Sequence, residues 1–434
     1  MSPSQQERAR IGSWLLSQKN NPSLFFFYLL ILFLPTQVGK HFWLQSSFVY
    51  GLRIDYLSPT LYLTDILILI ILIFFFLKRI KDGNIFKKIN SKNAKLIAIT
   101  AVILLGSSIF AKNQHVSFYG LVKFLEFLFL SIFIVNTIKS FKTIFIVLSF
   151  SVIYESVIAI AQFLSKGSLG GGLYFLGERT FTGQTPGIAN ASLGGELILR
   201  AYGTFSHPNV LAGFLVVIMS AILVKMLKEK NSQRIIYWLA MVLGTIALFL
   251  TLSRVAIIIW FISLFLILLA KHKLRKKTFW LFMTVLFFLL SLFIFFPLFL
   301  RFTEISLSQA SIHERILLMQ IAFQMFIKNP IFGVGINNFI VMLPAITKIK
   351  SLYLLQPVHN IYFLILAETG ILGFFGFILL IFYSIKRISK VSPFFPSIII
   401  ILFLGLFDHY FLTLQQGQLL LSIVLGFCWV KTSS

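Results

Sequence analysis

The sequence predicts an all-α polytopic membrane protein with about 12 transmembrane helices and two long extracytoplasmic loops, the second containing an amphipathic helix. Hydrophobic residues make up 58% of the 434 residues and charged residues only 12%, against about 25% charged in a soluble globular protein. A soluble core cannot bury that much apolar surface, so most of the chain is expected to face lipid. The single cysteine, Cys428, excludes an intramolecular disulfide.

Apolar runs near spanning length define the predicted helices. A span needs about 20 residues, and twelve runs approach this length, at about 24–39, 61–77, 96–111, 119–138, 143–164, 208–224, 235–252, 255–270, 279–300, 360–385, 394–414 and 418–430. Residues 235–270 are almost continuously apolar and would form one helix of about 54 Å, against a hydrocarbon core of about 30 Å. This stretch must fold back, and its only polar break, Thr251–Arg254, predicts the turn.

The positive charges predict the orientation. Of the 38 Lys and Arg residues, 25 lie in the two tails and in five short segments, at 78–95, 139–142, 225–234, 271–277 and 386–390. All of these fall on one side when twelve spans alternate, and the positive-inside rule makes that side the cytoplasm, with both termini. The net charge of +25 is therefore mostly an orientation signal, and no nucleic-acid partner is expected. The polar first 20 residues do not resemble a cleaved signal peptide.

The chain is expected to form a single transmembrane domain over residues 1–434. Two connections on the extracytoplasmic face, about 165–207 and 301–358, are much longer than a turn, and long loops on a rigid scaffold are where chemistry tends to lie. The acidic residues form no Asp-x-Asp pair, and no Walker, His-Glu-x-x-His or Gly-x-Ser-x-Gly motif occurs. ATP-driven and metal-dependent chemistry are therefore disfavoured, and neither a cofactor nor a metal site is predicted.

Arginines outside the cytoplasmic segments are the first candidates for a site. Arg254 lies in the predicted hairpin turn, where it could snorkel to lipid headgroups or hold a lipid pyrophosphate with its guanidinium fork. Arg315 lies in residues 311–328, which have helical spacing. The polar face of that helix consists of His313, Gln320, Gln324 and Lys328.

Arg315 points away from this polar face, into the apolar side of the helix. A charge there is costly unless it is paired. Either a carboxylate such as Glu304 or Glu368 or an anionic substrate is expected to satisfy it, and the pattern alone favours neither.

His359 opens the span that follows the second long loop. A lone histidine at a helix start is commonly a cap or packing residue, but a neutral imidazole at this external lip could accept a hydroxyl proton. Gly370 and Gly373 continue its helical face and would permit close helix approach. Glu368 lies about 180° around the same helix and is expected to tie helices together, although acids within a span are functional candidates by default.

Four segments resemble, in order and spacing, the motifs of the O-antigen ligase and O-antigen polymerase superfamily of bacterial envelopes. Residues 203–212 (GTFSHPNVLA) resemble GTF-x-x-PN-x-LA, and residues 251–254 (TLSR) resemble T-x-SR. Arg315 followed by residues 330–339 (PIFGVGINNF) resembles R…P-x-x-G-x-G-x-x-x-F, and residues 359–373 (HNIY…AETGILG) resemble HN-x-Y…AETG-x-x-G. The motif region runs from about 200 to 373, and the multi-span layout fits the whole chain.

The resemblance implies a metal-independent, inverting membrane glycosyltransferase of envelope polysaccharide or lipopolysaccharide biosynthesis. Its donor would be a glycan on undecaprenyl pyrophosphate, and its acceptor a lipid or a growing polysaccharide on the extracytoplasmic face of the bacterial inner membrane. Arg254 and Arg315 carry over as pyrophosphate-binding residues and His359 as the catalytic base. Arg200 is added as a pyrophosphate ligand because it lies beside a motif. Possible supporting residues are His207, Asn209, Asn360, Tyr362 and Glu368.

Three other functions remain open at this stage. A protein O-oligosaccharyltransferase of the same superfamily would differ only in its acceptor. A twelve-span transporter would show repeated halves, broken helices or charges near the membrane midplane, and Lys123, Glu126 and Glu155 within spans keep it in consideration. A non-catalytic scaffold of an envelope assembly complex would tolerate the loss of His359.

Overall fold

The computed structural model describes residues 21–82, 91–193, 196–229, 232–270, 309–346 and 354–430, and this part of the chain is mostly helical. Its helices are α1 Pro22–Leu32, α2 Leu63–Lys81, α3 Ser91–Ile109, α4 Gln114–Thr137, α5 Lys142–Ser165, α6 Pro208–Met226, α7 Arg234–Leu250, α8 Arg254–Leu269, α9 Gln309–Lys328, α10 Phe339–Ile346, α11 Ile361–Arg387, α12 Phe395–Leu404, α13 Tyr410–Thr413 and α14 Gln415–Trp429. Three predicted features lie outside the described residues: the span 279–300, Arg301 at the start of the second loop, and Glu304.

Short antiparallel strand pairs, which the sequence patterns did not predict, lie in the connections. They are β1 Gly39–His41 with β4 Thr60–Tyr62, β2 Phe48–Val49 with β3 Leu52–Arg53, and β5 Asn190–Leu193 with β6 Glu196–Leu199. The first two pairs fold the chain between α1 and α2, and the third lies in the connection between α5 and α6. Each pair is too short to form a sheet with a hydrophobic core of its own. The strands therefore shape loops on a helical scaffold.

Among the described helices, four are long and apolar enough to cross a membrane: α4, α5, α6 and α11. Five others are apolar but shorter, at 10–17 residues. This composition is that of an all-α membrane protein, as predicted. The predicted turn between 235–252 and 255–270 is confirmed, because α7 ends at Leu250 and α8 begins at Arg254. Leu252 makes the reversal with a left-handed φ of 53°.

Two predicted spans are shorter than their apolar runs. The run 24–39 becomes helix only as far as Leu32, since Pro35 ends the apolar segment and β1 follows. The run 394–414 becomes α12, which ends at Leu404, then a turn and the one-turn helix α13. Both corrections have the same cause: a window average over apolar residues does not register the polar groups that end a helix.

The core surrounds α6, of which 89% of the spanning window is buried. A helix that is apolar on every side must be enclosed by other helices, and α5, α7, α8, α12 and α14 pack around this one. A second, smaller cluster lies under the amphipathic helix α9 and includes Leu318, Ala322 and Met325. The polar face predicted for α9 is confirmed: His313, Gln320, Gln324 and Lys328 are all exposed.

Two glycine motifs contact each other across the fold. The backbone N–H groups of Val334 and Gly335 donate to the carbonyls of Ala367 and Glu368, at 2.9 Å each. Gly370 breaks α11 with a φ of 64°, and a Cβ there would lie 2.3 Å from the Ile331 carbonyl oxygen. The close approach expected at Gly370 is therefore made with a turn segment and not with a helix. Across the break the N–H of Ile371 donates to the carbonyl of Pro330 at 2.8 Å, so the backbone pairing continues there.

Candidate active site

A cavity of about 700 Å³ lies where the amino-terminal ends of α2, α4, α6, α11 and α14 come together. This volume falls in the range of about 300–1,000 Å³ that encloses small ligands. Three of these helices leave the cavity and end in basic residues: α2 in Lys78, Arg79 and Lys81, α11 in Lys386 and Arg387, and α6 in Lys225. The cavity and the basic ends therefore occupy opposite ends of the helices.

Most of the residues predicted to form a site line this cavity. The lining includes Arg200, His207, Asn209, Arg315, His359 and Glu368. Three predicted residues are not part of the lining: Arg254, Asn360 and Tyr362. The structure thus brings together residues that are up to 168 positions apart in the sequence.

His359 faces a carboxylate that the sequence patterns did not predict. Its Nδ1 lies 3.5 Å from Oδ1 of Asp408, and both side chains are largely buried, with 17% and 15% exposed. The ring of His409 lies 5.1 Å from that of His359, and its Nδ1 is 2.7 Å from Oγ1 of Thr413. A carboxylate beside one ring nitrogen orients an imidazole and stabilises its protonated form. This arrangement is suited to a general base.

A chain of hydrogen bonds holds Asp408 in place. Asn209 donates from Nδ2 to Oδ2 of Asp408 at 3.2 Å and accepts at Oδ1 from Arg200 at 2.6 Å. The Nε–H of Arg200 in turn donates to the carbonyl of Thr251 at 2.7 Å. Arg200 is only 8% exposed, and its contacts connect the first motif to the hairpin turn. The chain therefore runs from the turn at Thr251 to the carboxylate at His359.

Asn360 and Tyr362 position His359 without lining the cavity. The Asn360 side chain caps α11, accepting from the N–H groups of Tyr362 and Phe363 at 2.9 and 3.1 Å, and donates to the carbonyl of Leu406 at 3.1 Å. The Tyr362 hydroxyl donates to the carbonyl of Leu402 at 2.9 Å. These contacts hold the start of α11 against the segment that carries Asp408, so they keep the two elements in register.

Arg315 reaches the same region from α9. Its Nη1 lies 3.5 Å from the carbonyl oxygen of Phe407, the residue before Asp408. Among the residues that the structure describes, no carboxylate forms an ion pair with Arg315. Glu368, one predicted partner, instead accepts from the backbone N–H of Phe339 at 3.1 Å, which ties α11 to α10. An arginine that lines a cavity without a carboxylate partner can bind an anion.

Arg254 occupies a different position. It is the first residue of α8 and is half-buried. The preceding turn is joined to the cavity through the bond from Arg200 to Thr251. Arg254 itself is not among the residues that line the cavity.

The electrostatics of the cavity favour an ionised Asp408 beside a neutral His207. Burial would raise the pKa of Asp408, but its contact with His359 and the nearby His409 hold that pKa well below its usual range. Burial, and after it the Arg200 guanidinium, lowers the pKa of His207 to about 3. His207 is thus neutral at pH 7, and its Nδ1 accepts the N–H of Asn209 at the start of α6, at 3.1 Å.

The same cluster is the place in the described part of the chain where a metal ion could be held. His359, Asp408 and His409 each offer one ligand atom, and these atoms lie within 4.8 Å of one another. Asp408 accepts from Asn209 at Oδ2, and Nδ1 of His409 contacts Thr413. Oδ1 of Asp408 faces the two rings, at 3.5 Å from Nδ1 of His359 and 4.0 Å from Nε2 of His409. Contacts at the outer atoms of this kind orient the groups of a hydrogen-bonded base and of a metal site alike.

A second buried charge cluster borders the cavity on α2 and α4. Lys123 Nζ lies 2.5 Å from Oδ2 of Asp65 and 3.2 Å from Oε2 of Glu126. The Gln415 side-chain amide donates to Oδ1 of Asp65, and the ring of Tyr62 lies 5.4 Å from the ammonium. Lys123 and Glu126, two of the charges that kept a transporter in consideration, are therefore paired with each other. The third, Glu155, accepts from the Thr204 hydroxyl at 2.6 Å.

Sequence reasoning missed Asp408 and His409. Both fall inside the apolar run 394–414, where they were averaged into a predicted span. An acid next to a histidine in an otherwise apolar run is itself a signal, because ionisable groups at such positions mark functional sites by default. Applied to residues 407–410 (FDHY), that rule would have found the partner of His359.

Comparison with known proteins supports the motif assignment. Residues 239–378 match the family model described as O-antigen ligase. No protein of curated function is significantly similar to the chain. The matched region contains Arg254, Arg315, His359 and Glu368, whereas Arg200, Asn209 and Asp408 lie outside it. The match covers about a third of the chain and supports the resemblance of residues 239–378 to the O-antigen ligase superfamily.

Proposed function

We propose that this chain is an inverting, metal-independent glycosyltransferase that moves a glycan from undecaprenyl pyrophosphate to an acceptor hydroxyl. The O-antigen ligase domain supports a ligase-like transferase at the family level. The observation that carries the finer proposal is that His359, beside Asp408, and Arg315, without a carboxylate partner among the described residues, line one cavity.

In the proposed reaction the acceptor oxygen attacks the anomeric carbon of the donor sugar. A new C–O bond forms, the bond from that carbon to the pyrophosphate oxygen breaks, and the electron pair leaves with undecaprenyl pyrophosphate. His359 takes the hydroxyl proton and passes it to water, while Asp408 holds the imidazole and stabilises its cationic form. Attack from the face opposite the leaving group inverts the anomeric centre.

The proposed pyrophosphate leaving group explains why arginines line the cavity. Pyrophosphate departs without a general acid, provided that cations stabilise the developing charge. Arg315 is the proposed direct ligand, and Arg200 lines the same wall. We propose Arg254 as a further pyrophosphate ligand at the hairpin turn, although it is not among the lining residues. Asn209 and His207 are proposed to support the wall through their bonds to Asp408 and to the start of α6.

We infer the membrane topology from the basic residues at one end of the helices. The basic ends of α2, α6 and α11 are proposed to face the cytoplasm, which places the cavity on the extracytoplasmic face of a bacterial inner membrane. The full arrangement is proposed to have about twelve spans with both termini cytoplasmic. Lipid-linked glycans would then reach the cavity from the outer leaflet.

The test is a transfer assay with the purified full-length chain. The donor is purified undecaprenyl pyrophosphate glycan, the acceptors are lipid-anchored core oligosaccharide, delipidated polysaccharide and a protein substrate, and mass spectrometry with NMR identifies the product. We expect transfer that persists in EDTA and gives the inverted anomer. Loss of transfer in EDTA, restored by a divalent metal, would assign His359, Asp408 and His409 to a metal. Uptake of a solute without transfer would favour a transporter.

A further inference from the structure

Five glutamines line the cavity, and four of them donate from the side-chain amide to a carbonyl or a carboxylate of the protein. Gln415, Gln416 and Gln418 follow one another at the start of α14, and Gln37 comes from the connection after α1. Gln415 and Gln416 are only 4% and 3% exposed. None of the four has a part in the proposed reaction, so their presence in the wall needs a separate explanation.

The two buried glutamines have fixed orientations. The Gln415 Nε2 donates to the carboxylate of Asp65 and to Oγ1 of Thr64, and the Gln416 Nε2 donates to the carbonyl of Pro35 at 3.2 Å. A carboxylate and a carbonyl can only accept hydrogen bonds, so the nitrogen of each amide must face them. The amide oxygen of each side chain is thereby left on the other side.

The two half-buried glutamines repeat this pattern. Gln37 donates to the carbonyl of Gly177 at 3.1 Å, and Gln418 donates to the carbonyl of Leu412. Within the part of the chain that the structure describes, no protein donor is paired with any of the four amide oxygens. Polar atoms in buried walls are normally hydrogen-bonded. This end of the cavity therefore presents a set of acceptors that can receive hydrogen bonds from a ligand.

The amide oxygens of the glutamines favour one class of ligand. An ionised pyrophosphate carries acceptors only, so amide oxygens would repel it, whereas sugar hydroxyls can donate to each of them. The rings of Tyr62 and Tyr119 also line this end and offer apolar faces to a sugar ring. The cavity is thus divided chemically, with Arg315 at one end and, at the other, neutral acceptors beside the already paired Lys123.

One continuous segment of the chain joins the two ends of the cavity. Asp408 and His409 are followed by α13 and then by the glutamines at the start of α14, and the contact of His409 with Thr413 holds the segment together. We propose that the glutamine-lined end is the acceptor subsite, where Gln416 and its neighbours receive hydrogen bonds from the acceptor glycan and present one of its hydroxyls to His359. This inference rests on the proposed glycosyl transfer and adds the site of the second substrate.

The test compares acceptor and donor kinetics of Gln416→Met. Methionine keeps the length of the side chain but has no amide oxygen, and the matched control is Gln114→Met. Gln114 is an exposed glutamine whose amide also donates to a backbone carbonyl, at 2.8 Å, and it does not line the cavity. Donor and acceptors are those of the transfer assay, with lipid-anchored core oligosaccharide and delipidated polysaccharide in separate arms.

We expect the KM for the acceptor to rise about three- to tenfold in Gln416→Met, with the donor KM unchanged and Gln114→Met like wild type. The arm that responds identifies the source of the acceptor glycan. An unchanged acceptor KM, or equal rises for donor and acceptor, would overturn the inference. If Gln416→Met does not fold, Gln37→Met and Gln418→Met at half-buried positions decide by the same criteria. Failure of the wild-type chain to transfer to any acceptor would overturn the proposed function and this inference with it.

Discussion

Two clusters of charge border the same cavity and differ in how their charges are paired. In the cluster of α2 and α4, Lys123 lies within 3.2 Å of both Asp65 and Glu126. In the cluster around His359, Asp408 lies beside the imidazole, and Arg315 has no carboxylate partner among the described residues. The cation of the first cluster already has protein counter-ions, whereas the second cluster leaves a cation and a base at the cavity.

This difference shows how to interpret charges in membrane-spanning helices. Removing one member of a buried ion pair leaves an uncompensated charge and destabilises the fold, so such a cluster is expected to be structural. A buried cation without a protein counter-ion is expected to meet its counter-ion in a ligand. Sequence alone treats Lys123 and Arg315 alike, and the partners separate them.

The strongest test of the comparison removes the proposed base. His359→Ala is expected to lower transfer by about 10²–10⁴-fold, the usual contribution of a general base, while the protein folds normally. Transfer rates of purified variants measure the effect, and His313→Ala is the matched control, since His313 is exposed on α9. Full activity in His359→Ala would reject the proposed role and leave the scaffold reading open.

The opposite outcome is expected for the paired cluster. Lys123→Met leaves Asp65 and Glu126 buried without a cation, and should lower the free energy of unfolding by about 3–5 kcal/mol. Thermal or denaturant unfolding in detergent measures this, with the exposed Lys112→Met as control. A stable Lys123→Met variant that has lost transfer would show that Lys123 binds substrate, and the distinction between the two clusters would fail.

The arginines sharpen the comparison within the proposed site. Arg315→Lys keeps the charge but removes the guanidinium fork, and is expected to lower turnover at least about tenfold. Arg254→Lys should have a smaller effect, because Arg254 does not line the described cavity. Steady-state kinetics with the exposed Arg234→Lys as control distinguish these cases. Normal rates in both variants would make both arginines structural.

The smallest expected effect concerns stability and pH. The pKa of His207 is lowered to about 3 in the folded protein, against about 6.5 in an unfolded chain. The unfolded chain therefore holds one more proton between these values, so stability should fall as pH drops from about 6.5 towards 3, by up to about 1.4 kcal/mol per pH unit. His207→Asn keeps a capping side chain and should flatten this slope. An unchanged slope would show that His207 is not buried as a neutral base.

Several parts of the structure could be predicted from residue order. The hairpin at residues 251–254 followed from length, because an apolar stretch of 235–270 cannot cross a membrane once as a single helix. The inward position of Arg315 followed from helical periodicity. The β-strand pairs could not be predicted, since strands of two to four residues carry no periodic signal.

Composition and order by themselves indicated a membrane protein, located most of its described helices and carried the resemblance to the O-antigen ligase superfamily, because hydropathy, charge bias and local motifs are properties of neighbouring residues. Only the tertiary structure decided that Asp408 stands beside His359, that Gln416 lines the same cavity, and that Lys123 is already paired. These are contacts between distant segments, and their distances depend on how the helices pack, which no local pattern encodes.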